Sequence, residues 1–249
     1  MAGDNDVVDA DAAVVEGLEP PSSRQALNRD RIVAAAVAFI DESGLPALSM
    51  RRLGAVLGVE AMSLYRYVPG RENLLDAVVE TIVDEMRQDD DVLDAPRDGW
   101  QDFLQRLAHG VRRVALAHPK AFPLVASRPP EAPWLRPPLR SLRWVEAFLD
   151  GLSSEGFTDE SAVAAYRAYT SFLLGHLLLE VSALGADVGP LDVLDDQEDV
   201  NDKSIAPYPT VLRLKNSLAE NHSALEFEEA LEELLNRISL IQAEASDGS

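Results

Sequence analysis

Five side chains between residues 61 and 66 could together read a nucleic acid. They are small, apolar, hydroxyl, aromatic and guanidinium groups in close succession: Ala61, Met62, Ser63, Tyr65 and Arg66. Guanidinium and hydroxyl groups hydrogen-bond to base edges and phosphates, and small or apolar groups fit against a thymine methyl. A short helix that carries this row is therefore suited to the major groove of DNA.

The surrounding sequence predicts a helix-turn-helix that would position this row. Ser49 is a suitable N-cap for a first short helix. Its buried face is predicted from the i, i+3, i+4 spacing of Leu53, Val56 and Leu57. Gly58 tolerates a positive φ, so the chain can turn there into a second helix over about 60–67, which Pro69 and Gly70 end.

Helices on either side complete the prediction for this region. The first should run from Asn28, a suitable N-cap, to about residue 43, and it presents an apolar face at helical spacing. After Gly70, a longer apolar pattern predicts a helix over 71–88 that covers roughly 25 Å. Such a helix is long enough to connect a small head, residues 22–70, with a second domain.

The order of these residues resembles the DNA-binding signature of the tetracycline-repressor (TetR) family. The matching residues are Leu48-Ser49, Arg51-Arg52-Leu53, Leu57-Gly58-Val59 and Leu64-Tyr65, followed by Val68 and Arg71. The resemblance implies an all-α fold, with an N-terminal three-helix DNA-binding domain and a C-terminal helical effector-binding and dimerisation domain. It also implies a homodimeric transcriptional repressor that a small-molecule effector releases from a palindromic operator in double-stranded DNA.

The resemblance also assigns roles to nine residues of the head. Arg51 would reach a base edge from the first helix of the motif, where a guanidinium could pair with a guanine. The base-facing positions of the second helix would be Ala61, Met62, Ser63 and Arg66. Phosphate contacts would come from Tyr65 and Arg71, with Ser49 and Tyr67 as helpers. The alternative for Tyr65 is an aromatic position in the core.

Apolar residues at helical spacing predict only helices after residue 100. They are expected at 100–117, 139–152, 159–183, 210–220 and 225–241, with a short apolar piece at 122–126. In the resembling family, two such helices from each copy form a four-helix bundle, and here they would be 159–183 and 225–241. The dimer would then place two recognition helices about one DNA turn, roughly 34 Å, apart.

The second domain, residues 89–249, also has the sequence order of a tetracycline-repressor-like domain, which implies an effector pocket. An apolar or aromatic effector would fit a pocket lined by Met86, Phe103, Leu107, Phe122, Leu124, Trp134, Trp144, Phe148, Tyr169, Phe172 and His176. Arg87 and Leu124 stand near the positions of that repressor's two drug-chelating histidines. The resemblance therefore does not carry over a magnesium–tetracycline ligand.

Composition and charge narrow the class of protein. The 249-residue chain contains no cysteine, which excludes a disulfide framework, a thiolate zinc site and a catalytic thiol. No apolar run reaches the roughly 20 residues needed to span a bilayer, and the acidic start is unlike a signal peptide, so we expect a cytoplasmic protein. Residues 1–21 are acidic and should be disordered, and the long connection 184–209 should be a loop.

The charge is divided unevenly along the chain. The net charge is −21, yet residues 22–71 hold seven basic and four acidic side chains, a local charge of +3. The other residues hold 15 basic and 39 acidic side chains and carry −24. A locally basic head on an acidic body can bind DNA in one orientation, because phosphates attract the head and repel the body.

Catalytic patterns are missing from the sequence. The four histidines, His109, His118, His176 and His222, form no His-x-x-x-His pair, and there is no nucleophile elbow or phosphate-binding glycine loop. We therefore expect no enzyme activity, no metal site and no cofactor. Two alternatives to the repressor remain open, namely a helical small-molecule-binding protein and a transcriptional activator that uses the same head.

Overall fold

The computed structural model describes residues 26–88, 92, 95–128, 132, 134–137, 141–188 and 206–247. Within these ranges the chain forms helices and turns without any strand, so the all-α prediction is confirmed. The predicted disordered tail at 1–21 lies outside the described residues, as does 189–205 of the predicted loop. Among the described residues, no helix combines the length and apolar character that crossing a bilayer requires.

Ten α-helices follow one another in the described parts of the chain. They are α1 (Arg29–Ser43), α2 (Met50–Leu57), α3 (Ala61–Leu64), α4 (Arg71–Gln88), α5 (Trp100–Ala117), α6 (Pro123–Ser127), α7 (Leu142–Ser154), α8 (Asp159–Ala183), α9 (Pro209–Ala219) and α10 (Ser223–Asp247). A short 3₁₀ turn, Leu45–Ala47, connects α1 to the segment before α2.

Four helices have bounds close to those that the sequence predicted, and side-chain caps fix the start of two of them, α1 and α8. The carboxamide oxygen of Asn28 accepts from the Arg31 backbone N–H at 2.8 Å and caps α1. The Thr158 hydroxyl accepts from the Ser161 N–H at 3.2 Å and caps α8. Helices α4 and α5 also have their predicted bounds, 71–88 and 100–117.

Other helices differ from their predicted bounds. The second helix of the motif spans only Ala61–Leu64, not 60–67, because residues 65–67 form a turn. Helix α7 begins three residues later than predicted, α9 is shifted by one residue, and α10 is longer at both ends.

The long linking helix α4 contacts both parts of the molecule. Its 18 residues span about 27 Å at 1.5 Å per residue. It packs on α1 in the head and on α5 and α6 in the body. Its buried side chains include Leu74, Val78 and Ile82, all fully buried. Helix α4 therefore links the head to the body.

The body is a helical layer around α8. Helix α8 packs against α5, α7 and α10. Phe227 of α10 is fully buried and stacks on Phe172 of α8, with ring centroids 6.1 Å apart. The same pair of helices leaves large apolar side chains in solvent, including Leu179, Leu225 and Leu240. Every side chain of α9 is exposed.

Candidate DNA-binding surface and internal cavity

Helix α2 begins at a side-chain cap that the sequence predicted. The Ser49 hydroxyl accepts from the Arg52 backbone N–H at 3.2 Å and so satisfies one of the free donors of the first turn. Arg52 in turn donates from its guanidinium to the Ala47 carbonyl at 3.1 Å. Arg51 is exposed beside it. The capped turn thus fixes the start of α2 and leaves the Arg51 side chain in solvent.

The face that α2 buries is not the predicted one. Met50, Leu53 and Gly54 are buried, whereas Val56 is 62% exposed and Leu57 is only partly buried. The prediction that Val56 belongs to the buried face is wrong. Helix α3 packs on the side of α2 that carries Gly54, so that side is buried instead.

The two helices of the motif meet at Gly54. A Cβ atom there would lie 2.9 Å from the Val59 carbonyl oxygen, closer than real Cβ atoms come to a neighbouring atom, and 3.2 Å from the Ala61 nitrogen. The Val59 N–H donates to the Gly54 carbonyl at 2.9 Å, and Gly58 has the left-handed conformation, with φ 69°. Sequence reasoning missed Gly54, although a glycine inside a helical pattern is a recognised sign of close backbone approach.

Helix α3 and the following turn present a mixed surface. Leu64 and Val68 are buried and anchor this segment to the head. Met62 is 74% exposed, Tyr65 and Tyr67 are 42% and 43% exposed, and Arg66 is exposed as well. Ala61 and Ser63 are partly buried. Tyr65 is therefore not a core aromatic.

Arg71 connects this surface to the start of α4. Its Nε donates to the Leu48 carbonyl at 3.5 Å, and its Nη1 lies 3.8 Å from a carboxylate oxygen of Glu72. The side chain remains partly exposed. All nine residues predicted to contact DNA thus lie in one continuous segment, 49–71, that runs from the cap of α2 to the first residue of α4.

A separate, mainly apolar cavity lies between α4 and the body. Its volume is about 70 Å³. Five of the residues predicted for the effector pocket line it: Met86, Leu107, Trp144, Phe148 and Tyr169. Eight lining residues were not predicted: Val83, Val111, Val125, Ser141, Tyr166, Thr170, Leu173 and Leu174. Two of the lining residues, Val83 and Met86, belong to α4.

The other six residues predicted for the pocket lie elsewhere. Phe103 packs beneath Gly151 of α7, where an added Cβ would lie 2.9 Å from the ring. Phe122 is fully buried, and Leu124 faces a groove that also includes Arg71 and Arg128.

The remaining three are farther along the chain. Trp134 is 76% exposed. Phe172 and His176 pack against Phe227 of α10, with ring centroids 6.1 Å and 5.2 Å from it. These side chains contribute to packing or to the surface, and they do not line this cavity.

The hydroxyl groups of the two cavity tyrosines both donate to backbone carbonyls. Tyr169 donates to the Leu104 carbonyl at 2.8 Å, and burial raises its pKa well above the usual value. Tyr166 donates to the Pro137 carbonyl at 3.1 Å, and burial raises its pKa as well. Both phenols therefore stay neutral near pH 7 and hold the cavity wall in place.

Ion pairs join the linking helix to its neighbours. Arg128, after α6, donates to Glu72 at 2.6 Å and to Asp76 at 2.6 Å and 3.0 Å. Burial on its own lowers the pKa of Arg128, but these two carboxylates outweigh it and the net shift is upward. The guanidinium thus connects the end of α6 to the first two turns of α4.

His118, after α5, bridges the head and α4. Its Nδ1 lies 2.6 Å from an Asp41 carboxylate oxygen on α1, and its Nε2 lies 2.9 Å from a Glu85 carboxylate oxygen on α4. Burial lowers the pKa of His118, whereas the hydrogen bonds and charges of these two carboxylates raise it, and the net shift is upward. With both ring nitrogens protonated, His118 can donate to both carboxylates at once.

Comparison with known proteins agrees with both halves of this arrangement. Residues 32–78 match the family model described as bacterial regulatory proteins, tetR family. Residues 94–239, more than half of the chain, match the tetracyclin repressor-like C-terminal domain. The HTH-type transcriptional repressor DrrR1 of Streptomyces coeruleorubidus is 34% identical over 149 residues, which are 60% of this chain and 52% of DrrR1. The chain thus spans about half the length of that curated relative.

Solved structures support the same family assignment over more of the chain. A possible TetR family transcriptional regulator from Streptomyces coelicolor is 31% identical, with a TM-score of 0.66, over 86% of this chain and 100% of that one. The S. coelicolor TetR family protein ActR, in complex with actinorhodin, is 26% identical with a TM-score of 0.64, over 89% and 99% of the two chains. By its matched domains and its fold, the chain belongs to the tetracycline-repressor (TetR) family of bacterial regulatory proteins.

Proposed function

We propose that this protein is a homodimeric, cytoplasmic transcriptional repressor that binds operator DNA through its head and releases it when a small apolar effector binds. The observation that carries this proposal is the exposed row on α2, α3 and the turn after α3, supported from behind by buried Leu53 and Leu64. The name of DrrR1, a transcriptional repressor, favours repression over activation. No part of the proposal requires a catalytic residue, a metal or a cofactor.

The exposed residues divide into base and backbone contacts. Arg51 and Arg66 are exposed and can present their guanidinium groups to base edges, and the exposed Met62 adds an apolar surface. The half-exposed Tyr65 and Tyr67 are suited to phosphates, as is the partly exposed Arg71. Ser49 acts through the cap, because its hydroxyl is bonded to the Arg52 N–H.

The dimer would form through α8 and α10. These helices pack on each other and still expose Leu179, Leu225 and Leu240. Covering these side chains with the same helices of a second copy would remove apolar surface from water and form a four-helix bundle. A two-fold axis then sets two α3 helices about 34 Å apart for a palindromic operator.

Effector binding in the cavity would release the protein from its operator DNA. Pockets that hold drug-sized molecules usually enclose roughly 300 to 1,000 Å³, and this cavity encloses about 70 Å³. An effector must therefore push the cavity walls apart, and two of the lining residues, Val83 and Met86, belong to α4. Because α4 also packs on α1, its displacement would move the head and separate the two recognition helices from successive grooves. ActR was solved with actinorhodin bound, which supports small-molecule binding by a similar fold.

Fluorescence anisotropy with the duplex upstream of the protein's own gene tests the DNA part, with a scrambled duplex as control. We expect tight binding to the native duplex alone, and weaker binding at higher salt because released counterions drive the association. Arg51→Ala and Arg66→Ala should each weaken operator binding by about tenfold to a hundredfold, since a base contact contributes about 1–3 kcal/mol.

Arg143→Ala provides the matched control, because Arg143 is exposed on α7 in the acidic body. It should leave operator affinity unchanged. Equal, weak binding of both duplexes by the unmodified protein would contradict the repressor proposal for this operator and favour a helical small-molecule-binding protein. A reporter gene behind the operator separates repression, which we expect, from activation.

A further inference from the structure

The cavity between α4 and the body has a wall without charge. Among the described residues that line it, none is Asp, Glu, Lys, Arg or His. Burying an ionised group without a partner costs far more than burying a neutral one. The lining therefore discriminates against a carboxylate or an ammonium group on the ligand.

Two of the polar groups in this wall have no hydrogen to offer a ligand. Each phenol has a single O–H, and those of Tyr166 and Tyr169 are donated to the carbonyls of Pro137 and Leu104. The Tyr166 hydroxyl also has a hydrogen bond with Thr170. Neither phenol therefore has a free hydrogen for a ligand.

The indole of Trp144 is different. Trp144 lines the cavity, and its Nε1 is buried without a hydrogen-bond partner among the described residues. An indole N–H can only donate, and a buried donor without an acceptor is uncommon because it loses its bond to water. The nitrogen is covered while the cavity is small, so a ligand that pushes the walls apart and brings an acceptor to this nitrogen would satisfy it.

We propose that the cavity binds a neutral, largely apolar ring molecule with one hydrogen-bond acceptor, a carbonyl oxygen or ring nitrogen, that accepts from Nε1 of Trp144. The inference rests on the proposed function, because it names the class of molecule that acts as effector. The rings of Phe148 and Tyr169, whose centroids are 5.3 Å apart, supply an aromatic surface for the rest of the ligand. Trp144 then contributes to specificity for the acceptor, beside the hydroxyl groups of Ser141 and Thr170 in the same wall.

Four bicyclic probes of nearly the same shape test this assignment. Naphthalene has no acceptor, quinoline and isoquinoline carry one ring nitrogen at different positions, and naphthoate carries a negative charge. Full-length ¹⁵N-labelled protein should give three indole N–H signals, from Trp100, Trp134 and Trp144. We expect quinoline or isoquinoline to move the Trp144 signal downfield and to bind about tenfold more tightly than naphthalene. Naphthoate should bind more weakly than naphthalene.

Trp144→Phe keeps an aromatic ring and removes the N–H. In this variant, the affinities for the ring-nitrogen probes should fall to that for naphthalene. Trp100→Phe is the matched control, because Trp100 is packed edge-to-face on Phe157 at 5.3 Å and does not line the cavity. It should keep the tenfold difference. If Trp144→Phe does not fold, the signal shift in the unmodified protein still decides the question.

Three results would overturn the assignment: equal affinity for all the neutral probes, a tenfold difference that persists in Trp144→Phe, or no binding of any probe. All of these titrations are done without DNA. A protein that binds its operator but shows no acceptor preference would retain the proposed repressor function and lose this inference. A protein that binds the probes as expected but binds no operator would retain the ligand assignment and lose the proposed repressor function.

Discussion

At the scale of single residues, Gly54 limits how closely the two helices of the motif can pack. The atoms that a Cβ would meet belong to the backbone at Val59 and Ala61, which cannot rotate away like a side chain. We expect Gly54→Ala to lower the free energy of unfolding by about 1–3 kcal/mol, because overpacking exceeds the gain in helix propensity. Urea denaturation monitored by circular dichroism measures the change.

Ala55 provides the comparison for this substitution, since it is exposed on the same helix. Ala55→Ser should change the free energy of unfolding by less than about 0.5 kcal/mol, as surface substitutions usually do. If Gly54→Ala were as stable as Ala55→Ser, the close approach of α2 and α3 would not constrain the head.

The residues of the head could be predicted better than those of the cavity, for a physical reason. Local spacing and caps determine which side chains of a short motif face outward, and Met62 and Arg66 are exposed as expected. A cavity is left over from the packing of several helices, so burial alone does not locate it. Phe103 and Phe122 are as buried as Phe148, yet only Phe148 lines the cavity.

At the scale of elements, Arg128 joins α6 to the start of α4. Its guanidinium is only 14% exposed and bonds to both Glu72 and Asp76. We expect Arg128→Ala to lower the free energy of unfolding by about 1–3 kcal/mol, because it removes the charge-assisted hydrogen bonds that Arg128 makes to Glu72 and Asp76. Urea denaturation, followed by a double-mutant cycle with Asp76→Ala, measures this coupling.

Arg87 offers a matched ion pair on the same linking helix. It bonds to Asp84 three residues away, and both side chains are more exposed. Arg87→Ala should cost less than about 0.5 kcal/mol, as surface pairs contribute little. Equal costs for the two arginines would mean that Arg128 does not hold α6 and α4 together.

Most of the helices could be predicted from the sequence. Helices α1, α4, α5 and α8 combine a clear apolar period with recognisable ends, and Asn28 and Thr158 form the caps that their positions indicated. The second helix of the motif was overestimated, because the apolar and aromatic run continues through Tyr67 while the backbone turns after Leu64. Only hydrogen bonding distinguishes these two conformations, and residue type does not.

At the scale of the whole molecule, His118 couples three parts of the structure and should do so in a pH-dependent way. It faces Asp41 from α1 and Glu85 from α4, and Lys120 nearby donates to the Glu42 carbonyl. Because the pKa of His118 is raised on folding, its contribution to stability is complete below its unfolded pKa of about 6.5. The contribution is lost as the pH rises above that value through the folded pKa.

The free energy of unfolding, measured from pH 5.5 to 8.5, tests this dependence. The unmodified protein should lose stability above about pH 6.5, and His118→Gln, which does not titrate, should lack that component. His222→Gln is the control, since His222 is exposed beside Glu220. It should follow the unmodified protein. Parallel curves for the unmodified protein and His118→Gln would exclude the coupling.

The division of charge between head and body has a consequence for the cell. A regulator with positive charge on all sides spends most of its time on chromosomal DNA away from its operator, because non-specific binding is electrostatic. Here residues 22–71 carry +3 and the rest of the chain −24. For the DNA-binding role proposed above, few copies would be sequestered on bulk DNA. Operator occupancy would then follow the number of copies in the cell more closely than the size of its genome.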